Sequence, residues 1–389
     1  MSHERFIETS ERFKTWCCDA LEFWHHRAVD PRGGFAEHLD LKGVADFDHV
    51  RRVRVQARQA YVYAHAAYLG WYSDSKKASD VAWDFATGFG SEGGAFIPDD
   101  SPRGCAHLVN GDGSMNDDTR DTYAQAFILL SGAWRFKAFA DTKALLKANE
   151  TIEYLNNNLK SSFGGWLEAM PIPKEKTRRQ NPHMHLFEAF LALYASTQKQ
   201  VYLDYAHEMF SLFEKHFFHS STGALLEFFH TDWTPFKDGG PVEPGHMMEW
   251  SWLLQSYSDL SGVDVQKYAI PLYDSGLEYG LNSKLGLICD AVNLDGTEHS
   301  LTLRTWPQTE LIKASVARAR RENSDLMFNA ASNTIEALFK FYLSGQVKGG
   351  WDDKLSPEGG VISKVMPTST FYHLFCAAAE VDLLAQTLK

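Results

Sequence analysis

Cysteine is scarce in this chain, five residues in 389. They are Cys17, Cys18, Cys105, Cys289 and Cys376, an odd number, with no CxxC spacing and only one adjacent pair. That excludes a disulfide framework and points to a reduced, cytoplasmic protein. Positive charge is also short: 38 Lys and Arg stand against 50 Asp and Glu, a net charge of −12. Nucleic acid and anionic membrane surfaces need a basic face, so neither is expected as a partner. No uncharged apolar run approaches the ~20 residues that a membrane span requires. The opening MSHERFIETSERFKTW is charged throughout and lacks an apolar core, so no secretory signal is expected. Also missing are the phosphate-cradling GxxxxGK[ST], the dinucleotide GxGxxG and the nucleophile elbow GxSxG.

What is present is apolar and aromatic. Apolar residues make up 44% of the chain, with 11 Trp, 15 Tyr and 26 Phe, enough for a large core. The length alone allows two or three domains. Periodicity argues for one. Glycine followed by apolar or aromatic residues and an acid recurs six times: GGFAEHL at Gly33, GGAFIPD at Gly93, GGWLEAM at Gly164, GALLEFF at Gly223, GLICDAV at Gly286 and GGWDDKL at Gly349. The spacing averages about 63 residues, so six units use essentially all of residues 1–389. Each glycine segment suits a short turn and strand.

Helical patterns fill the intervals, two to a unit. They are read at about Asp118–Phe136, Thr142–Leu159, Pro182–Ser196 and Gln200–Phe217. TKALLKANETIEYLNNNL puts Leu145, Ala148, Ile152 and Leu155 on one face, an amphipathic helix with a wet side. MHLFEAFLALYA is apolar nearly all round and reads as buried on every side. Alternation of the two kinds predicts an outer ring of helices around an inner ring, with complete units at both ends of the chain. An open helical solenoid is the competing arrangement.

The inner helices begin with polar residues, which would line the mouth of such a barrel. These are Arg54 and Arg58; Tyr123 and Gln125; Asn181, His183, His185 and Glu188; His246 and Glu249; Trp306, Gln308 and Glu310; Tyr372 and His373. Asn181 and His185, His246 and Glu249, and Trp306 and Glu310 are three or four residues apart, so each pair shares a helix face. His183 and His185 do not share one and make no helical metal pair. The adjacent His25 and His26 fall on an outer helix. DGSMNDD from Asp112 alternates acids and amides but lacks the Gly and Glu of a calcium loop. Histidines, carboxylates, arginine and aromatic faces together suit a sugar, and proton transfer next to its carbonyl without a metal. A glycoside hydrolase using Glu249 and Glu310 is the alternative, but leaves the histidines without a task.

RVQARQAY, RRQNPHMHLFEA, GHMMEW and STFYHLF carry a resemblance to the N-acylglucosamine 2-epimerase superfamily, which includes mannose isomerases, aldose–ketose isomerases and cellobiose 2-epimerases. It spans nearly the whole chain, and STFYHLF is most similar to the mannose isomerase branch. The resemblance implies an all-α (α/α)6 barrel of six helix-pair repeats with short β-hairpins at the mouth. It implies His246 and His373 as acid/base catalysts, with His373 moving a proton between C2 and C1. Arg58, Tyr123, Asn181, His185, Glu249, Trp306 and Glu310 would bind the sugar, with no metal and no cofactor. Gln125 departs from the family, where many relatives have His. The reaction implied is D-mannose to D-fructose through a cis-enediol(ate), with D-lyxose to D-xylulose beside it. A sugar 2-epimerase and a non-catalytic sugar-binding barrel are the alternatives. The partner expected is a monosaccharide, bound by a monomer or homodimer. Stretches 99–117, from Pro171 and from His230 are expected to shape the mouth.

Overall fold

The computed structural model describes residues 2–88, 104–175, 177–345 and 347–389. Twelve α-helices dominate these residues. Six form the inner ring: α2 (Val53–Leu69), α4 (Thr122–Phe139), α6 (Asn181–Thr197), α8 (Pro244–Ser261), α10 (Thr305–Glu322) and α12 (Thr370–Thr387). Six lie outside: α1 (Ser2–Ala28), α3 (Ser75–Thr87), α5 (Thr142–Asn158), α7 (Gln200–Leu212), α9 (Gln266–Gly280) and α11 (Asp325–Phe341). Each inner helix packs on the next, and α12 packs on α2, so the ring closes and the architecture is an (α/α)6 barrel, not a solenoid.

The two helix types separate as their patterns require. In α5 the residues at three- and four-residue spacing, including Leu145, Ala148, Ile152 and Leu155, are buried. In α6 eleven residues are buried, on all sides. The aromatics fill the seam between the rings. Trp24 of α1 stacks on Trp351 with centroids 4.6 Å apart and lies 6.1 Å from Phe371 of α12. Phe190 of α6 stacks on Tyr205 of α7 at 4.8 Å. Burial of each such ring contributes about 1.5–3 kcal/mol.

Short strands make a belt at the N-terminal ends of the inner helices. Two or three residues at or shortly before the start of each inner helix pair with the segment that follows the glycine of the next unit. Arg51–Arg52 pair with Leu108–Val109, Arg120–Asp121 with Ala169–Met170, and Arg178–Arg179 with Phe228–Phe229. Pro241–Val242 pair with residues 292–293, Leu303–Arg304 with Lys354–Leu355, and Val365–Pro367 with His38–Asp40. The last pair joins the sixth unit to the first and closes the belt.

Two expectations are corrected by this belt. The second glycine segment is Gly104-Cys105-Ala106-His107, five residues before Val109 of the belt, as Gly34 is five before Leu39. Gly93 and Gly94 lie outside the described residues. The ends of the chain are also not complete units. The outer neighbour of α12, the last inner helix, is α1, the first helix of the chain. Lys14 of α1 and Asp382 of α12 form a 3.1 Å ion pair across that join.

A buried glutamine repeats inside the ring. Gln56 Oε1 accepts the Phe35 N–H at 2.7 Å and its Nε2 donates to the Phe35 carbonyl at 2.8 Å. Gln125 does the same for Cys105 (2.8 and 3.0 Å) and Gln308 for Ile288 (2.7 and 2.7 Å). In the third unit His183 Nε2 accepts the Trp166 N–H at 3.1 Å. A Cβ on Gly165 would stand 2.5 Å from that nitrogen, and its φ of +61° also favours glycine. Gln125 is thus a fold clamp, and its difference from histidine says nothing about substrate. Replacing Gln308 with Leu strands a buried N–H and a buried carbonyl. It should cost about 2–4 kcal/mol in urea unfolding, against little change for Gln198→Leu on the surface.

Candidate active site

The inner helices aim their first turns at a cavity of about 380 Å³ inside the belt. Arg58, Tyr123, Asn181, His185, His246, Glu249, Trp306 and His373 all line it, so eight of the nine expected residues converge. Glu310 does not line it. It is fully buried behind His373, and its Oε1 lies 2.8 Å from His373 Nδ1. Arg52, Glu243, Arg304, Asp353 and Thr370 complete much of the wall.

A simple register produces this set. Counting from the last residue before each inner helix or its cap (Arg52, Asp121, Arg179, Glu243, Arg304), the cavity residues fall two and six places on. These are Arg58, Tyr123, Asn181, His185, Glu249 and Trp306. In the fourth unit the second place is Gly245. A Cβ there would stand 2.5 Å from the Trp306 ring, so this glycine admits the indole. His246, the next residue, packs against that indole at 5.0 Å between centroids, and His373 lies 5.7 Å from it on another side.

The two histidines have opposite charge states. Burial disfavours a charged His246, but the carboxylates of Glu227 and Glu243 outweigh it and push its pKa up to about 10. Its Nδ1 lies 3.0 Å from Glu227 Oε1, and its Nε2 lies 3.0 Å from the Asn181 amide. A half-turn of that amide presents Asn181 Oδ1, otherwise buried without a partner, to the Nε2–H of the imidazolium. His373 goes the other way. Burial, then the positive charges of Arg58 and Lys313, hold it well below the usual histidine value. With Nδ1–H donated to Glu310, its Nε2 keeps a free lone pair.

A charged layer supports the cavity floor. Lys313 Nζ lies 2.6 Å from Glu310 Oε2, and neither side chain has any exposure. Burial alone would neutralise Lys313, but Glu310 and Glu249 keep it above the ordinary lysine value. Glu188 accepts the Tyr372 hydroxyl at 2.6 Å and lies 3.1 Å from His185 Nδ1. Arg58 donates to the Tyr123 hydroxyl at 2.6 Å and sits 4.3 Å above the Phe127 ring. Both carboxylate oxygens of Glu249 are buried without a hydrogen-bond partner and face the cavity.

Three groups have the donor types of a metal site: His185 with Glu188 and Glu249, Glu227 with Glu243 and His246, and Glu249 with Glu310 and His373. Each already holds a proton or cation of its own: the Tyr372 hydroxyl and His185 on Glu188, the His246 imidazolium, and Lys313 on Glu310.

Sequence reasoning missed Glu227 and Glu243. Glu227 was visible as the acid of the fourth glycine segment, GALLEFF. Of the mouth stretches, the one from His230 contributes Glu243. Its Trp233 is instead a packing anchor, with the Arg178 guanidinium 3.5 Å above the ring. The stretch from Pro171 supplies no residue to the cavity wall, and residues 99–103 of the first lie outside the described residues.

A closed double ring of helices with an acid–base pair at its mouth is the class that these features define. The chain belongs to the N-acylglucosamine 2-epimerase (GlcNAc 2-epimerase) family, whose model matches residues 33–377. It is 32% identical over 379 residues, covering 94% of this chain and 95% of the relative, to a mannose-6-phosphate isomerase of Rhizobium meliloti (strain 1021). Its fold is similar to a solved D-mannose isomerase, with TM-score 0.85 and 20% identity over 96% of this chain and 97% of that one. It is equally similar to the cellobiose 2-epimerase of Spirochaeta thermophila DSM 6192, with TM-score 0.84 and 20% identity over 98% of each chain.

The Lys313–Glu310 pair gives a test. Lys313→Met and Glu310→Gln should each cost about 3–5 kcal/mol in chemical unfolding, because each leaves a buried charge alone. The double variant should cost clearly less than the sum of the two.

Proposed function

We propose that this protein is a sugar isomerase/epimerase that moves the proton at C2 of an aldose without a metal, all 389 residues acting as one catalytic domain. The observation that carries this reading is the pair of cavity imidazoles in opposite charge states around one indole. His373 Nε2 is the base for the C2 proton. His246, as imidazolium, is the acid at the ring oxygen and then at the oxygens of the enediol(ate). Arg58 adds positive charge where that intermediate gathers electrons. Trp306 offers an apolar face to the sugar's C–H groups, and Tyr123, Asn181, His185 and Glu249 take its hydroxyls. Glu310 acts behind the cavity, fixing the tautomer of His373.

Two outcomes share this first step. Return of a proton to C2 from the other face gives the 2-epimer, and needs a proton-carrying group on each side. The family match and the likeness to cellobiose 2-epimerase support that outcome, and the two histidines supply the groups. Return to C1 gives the ketose, as in D-mannose to D-fructose. One observation favours this second reading: His246 and His373 differ so widely in proton affinity that one is a standing acid and the other a standing base. One base with a fixed acid suffices for a 1,2-transfer. The named activities of two relatives, a mannose-6-phosphate isomerase and a D-mannose isomerase, agree with an aldose–ketose outcome. Glycoside hydrolysis is disfavoured, because Glu310 is engaged by Lys313 and His373 and is not at the cavity surface.

Incubation with D-mannose in deuterated water separates the outcomes. Glucose deuterated at C2 marks the epimerase and fructose, with or without deuterium at C1, the isomerase; neither product and no exchange from any aldose sinks both. Turnover should survive EDTA. His373→Ala should abolish exchange of the C2 proton, while a variant exchanging at the wild-type rate would remove His373 from the role. The rate should stay level across neutral pH. It falls on the acid side only well below the usual histidine value, where His373 becomes charged, and on the basic side near about 10, where His246 loses its proton.

A further inference from the structure

The belt carries a repeated pair of an acid with a hydrogen-bond donor, and one unit departs from it. In each unit the residue immediately before the belt strand that follows the glycine faces a residue at or just before the start of an inner helix. Glu37 binds Arg52, whose backbone N–H it also accepts at 2.9 Å. His107 Nδ1 lies 2.6 Å from Asp121 Oδ2, with the acid on the helix side of the pair. Glu168 accepts from Arg179 Nε at 2.6 Å, and Asp290 from Arg304 Nε at 2.9 Å. In the sixth unit Asp353 accepts the Thr370 hydroxyl at 2.6 Å.

The fourth unit has acids at both places, Glu227 and Glu243. Their carboxylates come within 4.8 Å of each other and of His246. Glu243 has a second cation nearby, Arg304 at 3.7 Å. Glu227 is 3% exposed, and its other oxygen accepts only the neutral Gln180 amide, at 2.9 Å. Gln180 is itself fixed, since its Oε1 accepts the Trp250 indole N–H at 2.7 Å. Among the described residues, His246 is therefore the one group that neutralises Glu227.

We propose that Glu227 is a positioning residue: it holds His246 as the imidazolium and turns its Nε2 into the cavity, so that this ring serves as acid and leaves the role of base to His373. The structural belt pair of the other units is here spent on a cavity side chain. The groups facing His246 are Glu227 from the belt, Glu243 before α8, Glu249 on α8, Asn181 and His185 from α6, Trp306 from α10 with Arg304 just before it, and His373 from α12. Three carboxylates outnumber the nearby fixed cation, so the balance favours the charged ring. The acid role rests on the proposed sugar chemistry, but the charge state does not.

Two measurements test it. The ¹⁵N shifts of His246 in the sugar-free protein should report imidazolium up to about pH 9. Titration of the wild-type ring near the ordinary 6.5 overturns the proposal, whatever the substrate is. In Glu227→Gln, a near-isosteric change, the ring should become neutral at least about one pH unit lower than in wild type. The basic limb of the rate should move with it, with kcat down about fivefold near pH 10, near wild type at pH 6, and KM little changed. Glu227→Asp should restore much of the high-pH rate. Glu168→Gln, which breaks the equivalent belt pair away from the cavity, should lower Tm and leave the pH profile in place. If Glu227→Gln behaves like Glu168→Gln, or loses activity equally at all pH values, Glu227 is only a structural member of the belt. If the shifts agree but no sugar exchanges a proton, the sugar reading fails and the charge assignment stands.

Discussion

A charge taken out of water must meet its opposite, and this one constraint organises the mouth of the barrel. Six inner helices begin at the same level, and the strand pairs that join them bring side chains together in a confined ring. Acid–base pairs such as Glu37 with Arg52 and Asp290 with Arg304 satisfy the demand locally and tie each inner helix to its belt strand. One layer deeper, Lys313 and Glu310 satisfy it again with no solvent at all. The proposed chemistry grows from the same rule. Carboxylates raise the proton affinity of His246, and burial, then Arg58 and Lys313, lower that of His373. No special device is needed to obtain an acid and a base from two identical side chains.

Much of this was legible in the sequence, for physical reasons. Helices buried on all sides and helices with one wet face differ strongly in composition, as MHLFEAFLALYA and TKALLKANETIEYLNNNL do. The polar residues at inner-helix starts stood out because they interrupt apolar runs, and eight of nine expected site residues line one cavity. The rest depended on contacts between distant segments. Gly93-Gly94 fits the local turn pattern better than Arg103-Gly104, yet only strand pairing with Arg51–Arg52 shows which segment occupies the belt. Gln125 looked like a missing histidine of the site until its two bonds to Cys105 placed it in the wall of the fold. Glu310 was read as facing the sugar because it shares a helix face with Trp306, but the barrel's curvature puts it one layer behind. Glu227 was hidden in plain view, because its segment resembles the others and only its partner differs.

The repeat also explains how one fold supports different outcomes. The cavity residues Arg58, Tyr123, Asn181, His185, Glu249 and Trp306 come from one or both of two repeated places per unit, and the clamping Gln56, Gln125 and Gln308 from a different one. Scaffold and chemistry thus occupy separate registers of one sequence pattern, a separation that the shared fold of the isomerase and epimerase relatives reflects.

The pairing of α1 with α12 has a consequence for synthesis. Helix α12, which carries His373, is the last helix of the described chain to be made, and its outer neighbour α1 is the first. Until residues near 387 leave the ribosome, α1 has no α12 to cover, the belt lacks its sixth joint, and the cavity lacks His373. A prematurely terminated chain would expose the aromatic face of α1 around Trp24, a surface that quality control can recognise. Completion of the ring and completion of the active site are therefore one event.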